Sequence, residues 1–483
     1  MKTQKISAGV SMRWATAIAI LLFCAATAAP SPAQTFTTLM TFDSSTGGQP
    51  DRPFVQGIDG NLFGETSFGP GNYDMGTVFT MTSTGTLTTL HTFFPHGPNG
   101  DSPSGLVLAN NGAFYGTSYY GGANGVGTIF RITSTGTLAL LHTFDTTDGA
   151  YPSGPLIQGA DGNFYGTTVN GGINSSGTAF KITPTGTLTT IYKFCSLTNC
   201  ADGDLPFGPL VQGTDGNFYG TTQSGGSKNS GVIFKLTPSG VLTTLYNFCS
   251  QTRCADGNGS EGLIQASDGN FYGTTQFGGA PNFDGTFFKI TPSGTRTTLY
   301  NFCSLTRCSD GADPLGTLIQ GTDGNFYGVT SVGGNSASGS GCGTIFQITP
   351  SGVLTTLHNF DCSDANGGFP QTGLLQATDG DFYGSTLQSG PSGFGISFKL
   401  STGLGPFVAL VQDSGKVGQT GGILGQGFTG TTAVSINGTP ATYTVVSDTF
   451  LRVTIPAGAT SGFVTVTTPT GVLTSNVALQ VIP

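Results

Sequence analysis

The chain has 483 residues, of which 8% are charged, 11% are aromatic and 79 are glycine. Disordered chains are rich in charge and poor in aromatic residues, so these proportions describe a folded, turn-rich protein. The net charge of −9 excludes a nucleic-acid binder, whose phosphate contacts need clustered lysine and arginine.

In chain order, the first element is a leader. Lys2, Lys5 and Arg13 precede a short apolar run from Trp14 to Ala29, and Ser31 and Ala33 place small residues just before Gln34. The pattern predicts a secretory signal peptide over residues 1–33, with cleavage after Ala28 as the alternative. Its apolar run is short for a membrane span, so no transmembrane segment is expected in the mature chain. Loss of Lys2, Lys5 and Arg13 takes the net charge from −9 to −12. Cys24 follows Phe23, where a lipoprotein signal wants a small residue, so lipidation is not expected.

Next comes a repeat. A version of Asp-Gly-Asn-Phe-Tyr-Gly begins at Asp59, Asn111, Asp161, Asp215, Asp268, Asp323 and Asp379. A period near fifty residues marks a repeat architecture. The fifth unit shows its grammar. Leu263-Ile264-Gln265 is a short strand, and Asp268-Gly269 suits a two-residue hairpin turn with positive φ. Phe271 to Thr275 is a second strand, rich in aromatic and β-branched residues. A loop with Gly278-Gly279 follows, then a third strand from Thr286 to Thr291, a Pro292-Ser293-Gly294 turn and a fourth strand from Thr297 to Phe302. Four antiparallel strands in each of seven units predict an all-β protein, a seven-bladed β-propeller of four-stranded blades over residues 34–403.

The fourth-strand motif also occurs seven times, but it starts at Thr35–Phe42, before the first Asp-Gly-Asn unit, and is missing after the last. The N-terminal strand is therefore expected to complete the final blade and close the ring, which removes two open sheet edges. Strand polarity puts the tight turns on one face. The Gly-Gly loops and the long connections between blades, which carry most of the length variation, share the other, where recognition usually sits.

Eight cysteines remain after the leader, an even number in an exported protein. Cys195/Cys200, Cys249/Cys254 and Cys303/Cys308 share a Cys-Ser-x-Thr-x-Cys frame, and Cys342 and Cys362 flank the open end of a hairpin. Four disulfides are expected: Cys195–Cys200, Cys249–Cys254, Cys303–Cys308 and Cys342–Cys362. A metal reading is weaker, because no histidine or third thiol accompanies a pair.

From about Gly405 the grammar changes to short alternating strands of a β-sandwich. The segments Gly425-Gln426-Gly427-Phe428 and Ile455-Pro456 through Gly462-Phe463-Val464-Thr465-Val466 resemble the IPT/TIG family of Ig-like domains. That resemblance implies an Ig-like spacer or interaction module over residues 404–483, with no active site to carry over. The units themselves, Asp-Gly-Asn-Phe-Tyr-Gly-Thr-Thr, then Gly-Gly, then Gly-Thr-x-Phe-Lys-Ile-Thr-Pro, resemble the bacterial GloVer tandem repeat. It implies an exported, often surface-anchored (choice-of-anchor) protein without assigned activity. Leu62-Phe63 in unit one, Asn111-Gly112-Ala113 in unit two, and Asp381 and Ser389-Gly390 in unit seven depart from its pattern.

The repeated aspartates invite calcium, but Asp-Gly is what the hairpin requires, and only unit seven adds a carboxylate two residues on. A second acidic set precedes strand one, where Asp202 with Asp204 and Asp310 with Asp313 are weak cation candidates and otherwise cap turns. No cofactor is expected beyond that optional calcium. The Phe-Tyr pairs are expected to pack between blades. Aromatics of the Gly-Gly loops, Phe68, Tyr73, Tyr119, Tyr120, Phe277 and Phe283, are the candidates for stacking on a ligand. His91, His142 and His358 share a fourth-strand position with tyrosine, a structural signature, and no nucleophile triad or phosphate loop is present. The expectation is a monomeric, exported, non-catalytic scaffold, extracellular or surface-associated with a periplasmic alternative, binding an extracellular glycan or protein. A structural matrix protein and a carbohydrate-active lyase or hydrolase are the alternatives.

Overall fold

The computed structural model describes residues 34–71, 75–335, 341–363, 365–388 and 392–482. The expected leader, Tyr73 and Ser389-Gly390 lie outside them. The repeats form seven antiparallel sheets in a propeller-like arrangement, and two further sheets lie C-terminal to them. In the fifth unit the strands are Ile264–Gln265, Phe271–Phe277, Thr286–Ile290 and Arg296–Asn301, in that order across the sheet.

Burial explains why the strand sequences differ. Phe271 to Thr275 are all buried, because sheets stack on both sides of the second strand. Such a strand reads as a continuous apolar run. The fourth strand, Arg296–Asn301, is outermost and has no fully buried residue: Thr297 is exposed and the rest are half-buried. The glycine that follows Phe-Tyr has a steric reason. A Cβ on Gly273 would lie 2.8 Å from the Phe288 ring, and one on Gly328 would lie 2.6 Å from Phe346.

Neighbouring sheets are joined by the Phe-Tyr pair. Each tyrosine stacks on the phenylalanine of the next unit: Tyr115 on Phe164, Tyr165 on Phe218, Tyr219 on Phe271, Tyr272 on Phe326 and Tyr327 on Phe382, with centroids 4.0–4.3 Å apart. Phe63, the substitute in unit one, stacks on Phe114 at 4.1 Å. At the closure Tyr383 packs in one cluster with Leu62, the only unit lacking that phenylalanine.

The closure follows the expected route. Thr35–Thr41 pairs antiparallel with Ile396–Ser401 and completes the last sheet. Phe36 stacks on His358 at 3.7 Å, and Phe42 meets Phe79 of the first sheet edge-on at 5.6 Å. A second girdle runs around the turn face. In six units the strand-one glutamine accepts from a turn N–H of the preceding sheet: Gln158 from Asn110, Gln212 from Ala160, Gln265 from Thr214, Gln320 from Ser267, Gln376 from Thr322 and Gln56 from Thr378, at 2.9–3.3 Å. Unit two has Leu108 at this position.

The C-terminal segment docks at that break. Leu424 and Phe450 are buried in one cluster with Phe63, Leu108 and Phe114. Thr449 Oγ1 donates to Ile58 O at 2.7 Å, and Gln412 Nε2 donates to Gly159 O at 2.6 Å. On the far side Phe407 N donates to Thr378 O. The segment's two sheets share their own core, with Ile423, Leu451 and Val453 facing Ile436, Val464 and Val466. It thus lies across the turn face and leaves the loop face open.

Two sequence expectations shift. Tyr119, Tyr120 and Phe277 end second strands (Phe114–Tyr120 and Phe271–Phe277) rather than sitting in the Gly-Gly loops. Asp204 and Asp313 lie in strand, in Asp204–Pro206 and Ala312–Gln320, because strand one begins earlier and pairs with the end of strand two. All four expected disulfides are present.

Deleting residues 34–42 would bare the edge of Ile396–Ser401 and remove the Phe36 and Phe42 contacts. Thermal denaturation of that truncation should show a fall of roughly 5 °C or more; an unchanged Tm would refute ring closure by this strand.

Candidate functional site

The repeated aspartates are spent on the scaffold. Asp268 accepts from Asn270 N (3.0 Å), Asn270 Nδ2 (2.9 Å), the Tyr272 hydroxyl (2.9 Å) and Lys289 Nζ (2.9 Å). Burial alone would raise its pKa, but Lys289, Asn270 and Tyr272 outweigh it and hold the carboxyl at about 2. The same clasp pins Tyr165, Tyr219, Tyr327 and Tyr383. In unit two the amide of Asn111 donates to Tyr115 instead. The motif fixes the turn and orients the ring that stacks on the next sheet.

Asp202 and Asp310 are likewise committed. Each is fully buried and accepts from a tyrosine hydroxyl (Tyr192 or Tyr300, 2.7 Å), from a serine N–H and hydroxyl, and from one further backbone N–H. Their oxygens clasp the disulfide loops. His142 holds Asp148 at 2.8 Å from the position Tyr192 occupies one unit on, which gives that histidine a structural role. Asp204 pairs in register with Ser224. Burial and the neighbouring Asp284 raise the pKa of Asp313. Among the described residues the one group of three ligand-type side chains is Asp284 with Cys303 and Cys308, and those sulfurs are joined to each other.

The aromatic candidates separate into different places. Phe68 bridges to Gly48, Phe277 packs against Gly259, and Phe283 lies in the Gly-Gly loop at φ +70°. All three are exposed. Only Tyr119 and Tyr120 come together, 4.7 Å apart and edge-to-face. Tyr151 of the next unit joins them, stacked on Tyr119 at 5.3 Å and edge-on to Tyr120 at 5.5 Å.

Tyr151 belongs to a set that sequence reasoning missed. The segment leading into strand one of every unit carries one left-handed residue at the loop-face end: Gln49, Ser102, Tyr151, Leu205, Gly259, Asp313 and Phe369, with φ between +52° and +69°. All seven are half-buried. The six non-glycine residues each donate their N–H to a carbonyl of the preceding sheet, at 2.8–3.1 Å, and that bond demands the conformation. A side chain costs about 1–2 kcal/mol there. In a chain with 79 glycines, six units nevertheless keep one, and all six differ. A signal was present in the sequence: this residue directly precedes a proline in Gln49-Pro50, Ser102-Pro103, Tyr151-Pro152, Leu205-Pro206, Asp313-Pro314 and Phe369-Pro370.

Below this rim the strand-one segments converge on a central cavity of about 70 Å³. Its side chains include Asp51, Arg52, Ser153, Phe207, Glu261 and Gln371. Glu261 and Glu65 are the only glutamates in the chain. Glu261 Oε2 accepts from Gly316 N at 3.0 Å, and burial raises its pKa against the pull of that bond and of Arg52. Glu65 stands where Thr117, Thr167, Thr221 and Ser385 donate to a carbonyl of the next unit, as Thr221 does to Ser260 O at 3.0 Å. It is 1% exposed, and neither carboxyl oxygen has a hydrogen-bond partner. Burial pushes its pKa up to about 8, with the Arg52 charge opposing. Burial, then Tyr120 and Tyr151, raise the pKa of Tyr119, while Arg52 lowers it.

A family model described as the Gloeobacter/Verrucomicrobia repeat matches residues 28–212 and 208–441. The chain belongs to this family. Among curated proteins none matches. Among solved structures the chain is similar to the extracellular domain of a candidate one-component system from B. thetaiotaomicron, with 11% identity and a TM-score of 0.50 over 93% of this chain and 58% of that one. It is also similar to a candidate 6-phosphogluconolactonase from Bacteroides uniformis, with 16% identity and a TM-score of 0.41 over 68% of this chain and 92% of that one. Identity this low speaks to fold alone. Among the described residues no helix is long and apolar enough to cross a membrane.

The position of Glu65 makes stability depend on pH. Its folded pKa of about 8 lies above the ordinary value of 4.5, so the folded state holds a proton the unfolded state has released. Stability from this group is therefore lost as pH rises from about 4.5 to about 8 and is flat beyond. Glu65→Gln should raise the Tm near pH 8 and leave it unchanged near pH 4. Equal gains at both pH values would show that the carboxyl is ionised when folded.

Proposed function

We propose that this protein is a secreted or cell-surface, non-catalytic binding scaffold that recognises glycan or protein through the loop face. In this reading the seven sheets are the blades of a β-propeller, and the C-terminal segment is an Ig-like module of the IPT/TIG type that closes the turn face. Four disulfides support an oxidising, extracellular setting.

The observation that carries the reading is the cluster of Tyr119, Tyr120 and Tyr151 at the open mouth of the ring. Tyr120 is 44% exposed, enough for its face to receive a partner. Three rings held by one another lose little freedom on binding, which favours them as contact residues. The left-handed residues around the same mouth support it further. A strained side chain retained at equivalent points, different in each unit, is expected of a recognition rim and not of a repeat built only to fold.

The test is retention of the mature chain on an array of glycans and extracellular proteins, with and without calcium, against a Tyr119→Ala/Tyr120→Ala variant. The variant should bind about tenfold more weakly or worse, since each 1.4 kcal/mol of lost contact is a factor of ten. Undiminished binding by the variant, or no retention of the wild-type chain by any member, would overturn the proposal.

A further inference from the structure

The central cavity is unfinished as a piece of protein. Eleven buried side-chain nitrogen or oxygen atoms among the described residues have no hydrogen-bond partner, and Asp51 Oδ1, Arg52 Nε and Ser153 Oγ, which belong to the cavity lining, are among them. Native proteins leave few such groups, and each one costs about 1–3 kcal/mol unless something outside the protein completes it. Ser153 is only 3% exposed, so bulk solvent does not complete it. The cavity's 70 Å³ is several times the room of about 10–15 Å³ that one water needs.

We infer that this cavity receives a single neutral sugar residue, the end of a glycan chain that enters from the loop face past Tyr119 and Tyr151. The inference rests on the loop-face reading above and names its ligand class. Arg52 and Asp51 form an ion pair at 4.0 Å, so their charges offset each other and a neutral, hydroxyl-rich ligand suits the site. Arg52 and Gln371 donate, Asp51 and Glu261 accept, and Ser153 does both, which matches the alternating donor and acceptor character of vicinal hydroxyls. Phe207 offers a ring face for the C–H side of a pyranose. Asp51 is held in place by Ser67 Oγ on its other oxygen at 2.7 Å, and Glu261 by Gly316 N, so two acceptors are oriented before the ligand arrives. Tyr151 lies two residues before Ser153 on the same segment, so the tyrosines would meet the second residue of the chain.

The test uses the mature full-length chain and the methyl glycosides of glucose, galactose and mannose, read by saturation-transfer NMR and calorimetry. One glycoside should bind. Asp51→Asn, Glu261→Gln and Ser153→Ala should each weaken it by about tenfold or more, as expected for losing a hydrogen bond to a charged or buried group. Each variant's Tm shows whether it is folded, and Ser153→Ala removes only one hydroxyl. Tyr119→Ala should leave the methyl glycoside bound while weakening retention on the array. Array binding with no glycoside bound, or with glycoside binding untouched by all three cavity variants, would overturn the cavity assignment and leave the loop-face reading standing. No sugar bound in either format would overturn both.

Discussion

Everything in the ring depends on one contact, the tyrosine of each sheet stacked on the phenylalanine of the next. A sheet of four short strands cannot bury its faces alone, so each needs a neighbour on both sides. The contact works because three other residues serve it. The aspartate clasps the turn and fixes the tyrosine hydroxyl, the asparagine holds the aspartate, and the glycine leaves room for the Phe288-type ring beneath. Asp268, which Lys289 also joins, is held at about pKa 2 against the effect of its burial, a structural anchor with no oxygen to spare for a cation.

That demand explains where function is absent and where it is free to appear. Turn-face residues are bound into the glutamine girdle or covered by the C-terminal segment. Disulfide-loop aspartates are saturated by tyrosine and serine. What remains unconstrained is the inner, loop-facing end of strand one. There the backbone is the same in every unit because an inter-sheet hydrogen bond requires it, whereas the side chains differ from unit to unit. The central cavity continues this pattern: glycines and prolines supply a shared backbone, and Asp51, Arg52, Ser153, Phe207, Glu261 and Gln371 supply individual chemistry.

Much of the fold was legible beforehand because its signals are local and repeated. The hairpin turns and the four disulfides follow from spacing within a few tens of residues, and the split final sheet from the phase of the fourth-strand motif against the Asp-Gly-Asn units. The packing role of the Phe-Tyr pairs was also legible, since their phase within the strand never changes. The candidate site was legible only in part. Tyr119 and Tyr120 were found as aromatics near a glycine loop, but Tyr151 lies in the next unit and becomes their neighbour only when sheets stack. Arg52 and Glu261 are 209 positions apart in the numbering, and nothing in a linear reading brings them together. Leu108 passes as an ordinary hydrophobe in strand one until the girdle it interrupts is seen.

The sequence by itself determined the repeat, its strand grammar and the pairing of cysteines, because each is set by covalent proximity and by turn chemistry, and it indicated the route of ring closure through the phase of its repeated motifs. The tertiary structure alone decided which residues line the central cavity, that Glu65 is buried within reach of the Arg52 charge, and that the C-terminal segment packs on the turn face. Those outcomes depend on the angle at which sheets stack and on burial in a shared interior, and neither quantity is carried by any single stretch of chain.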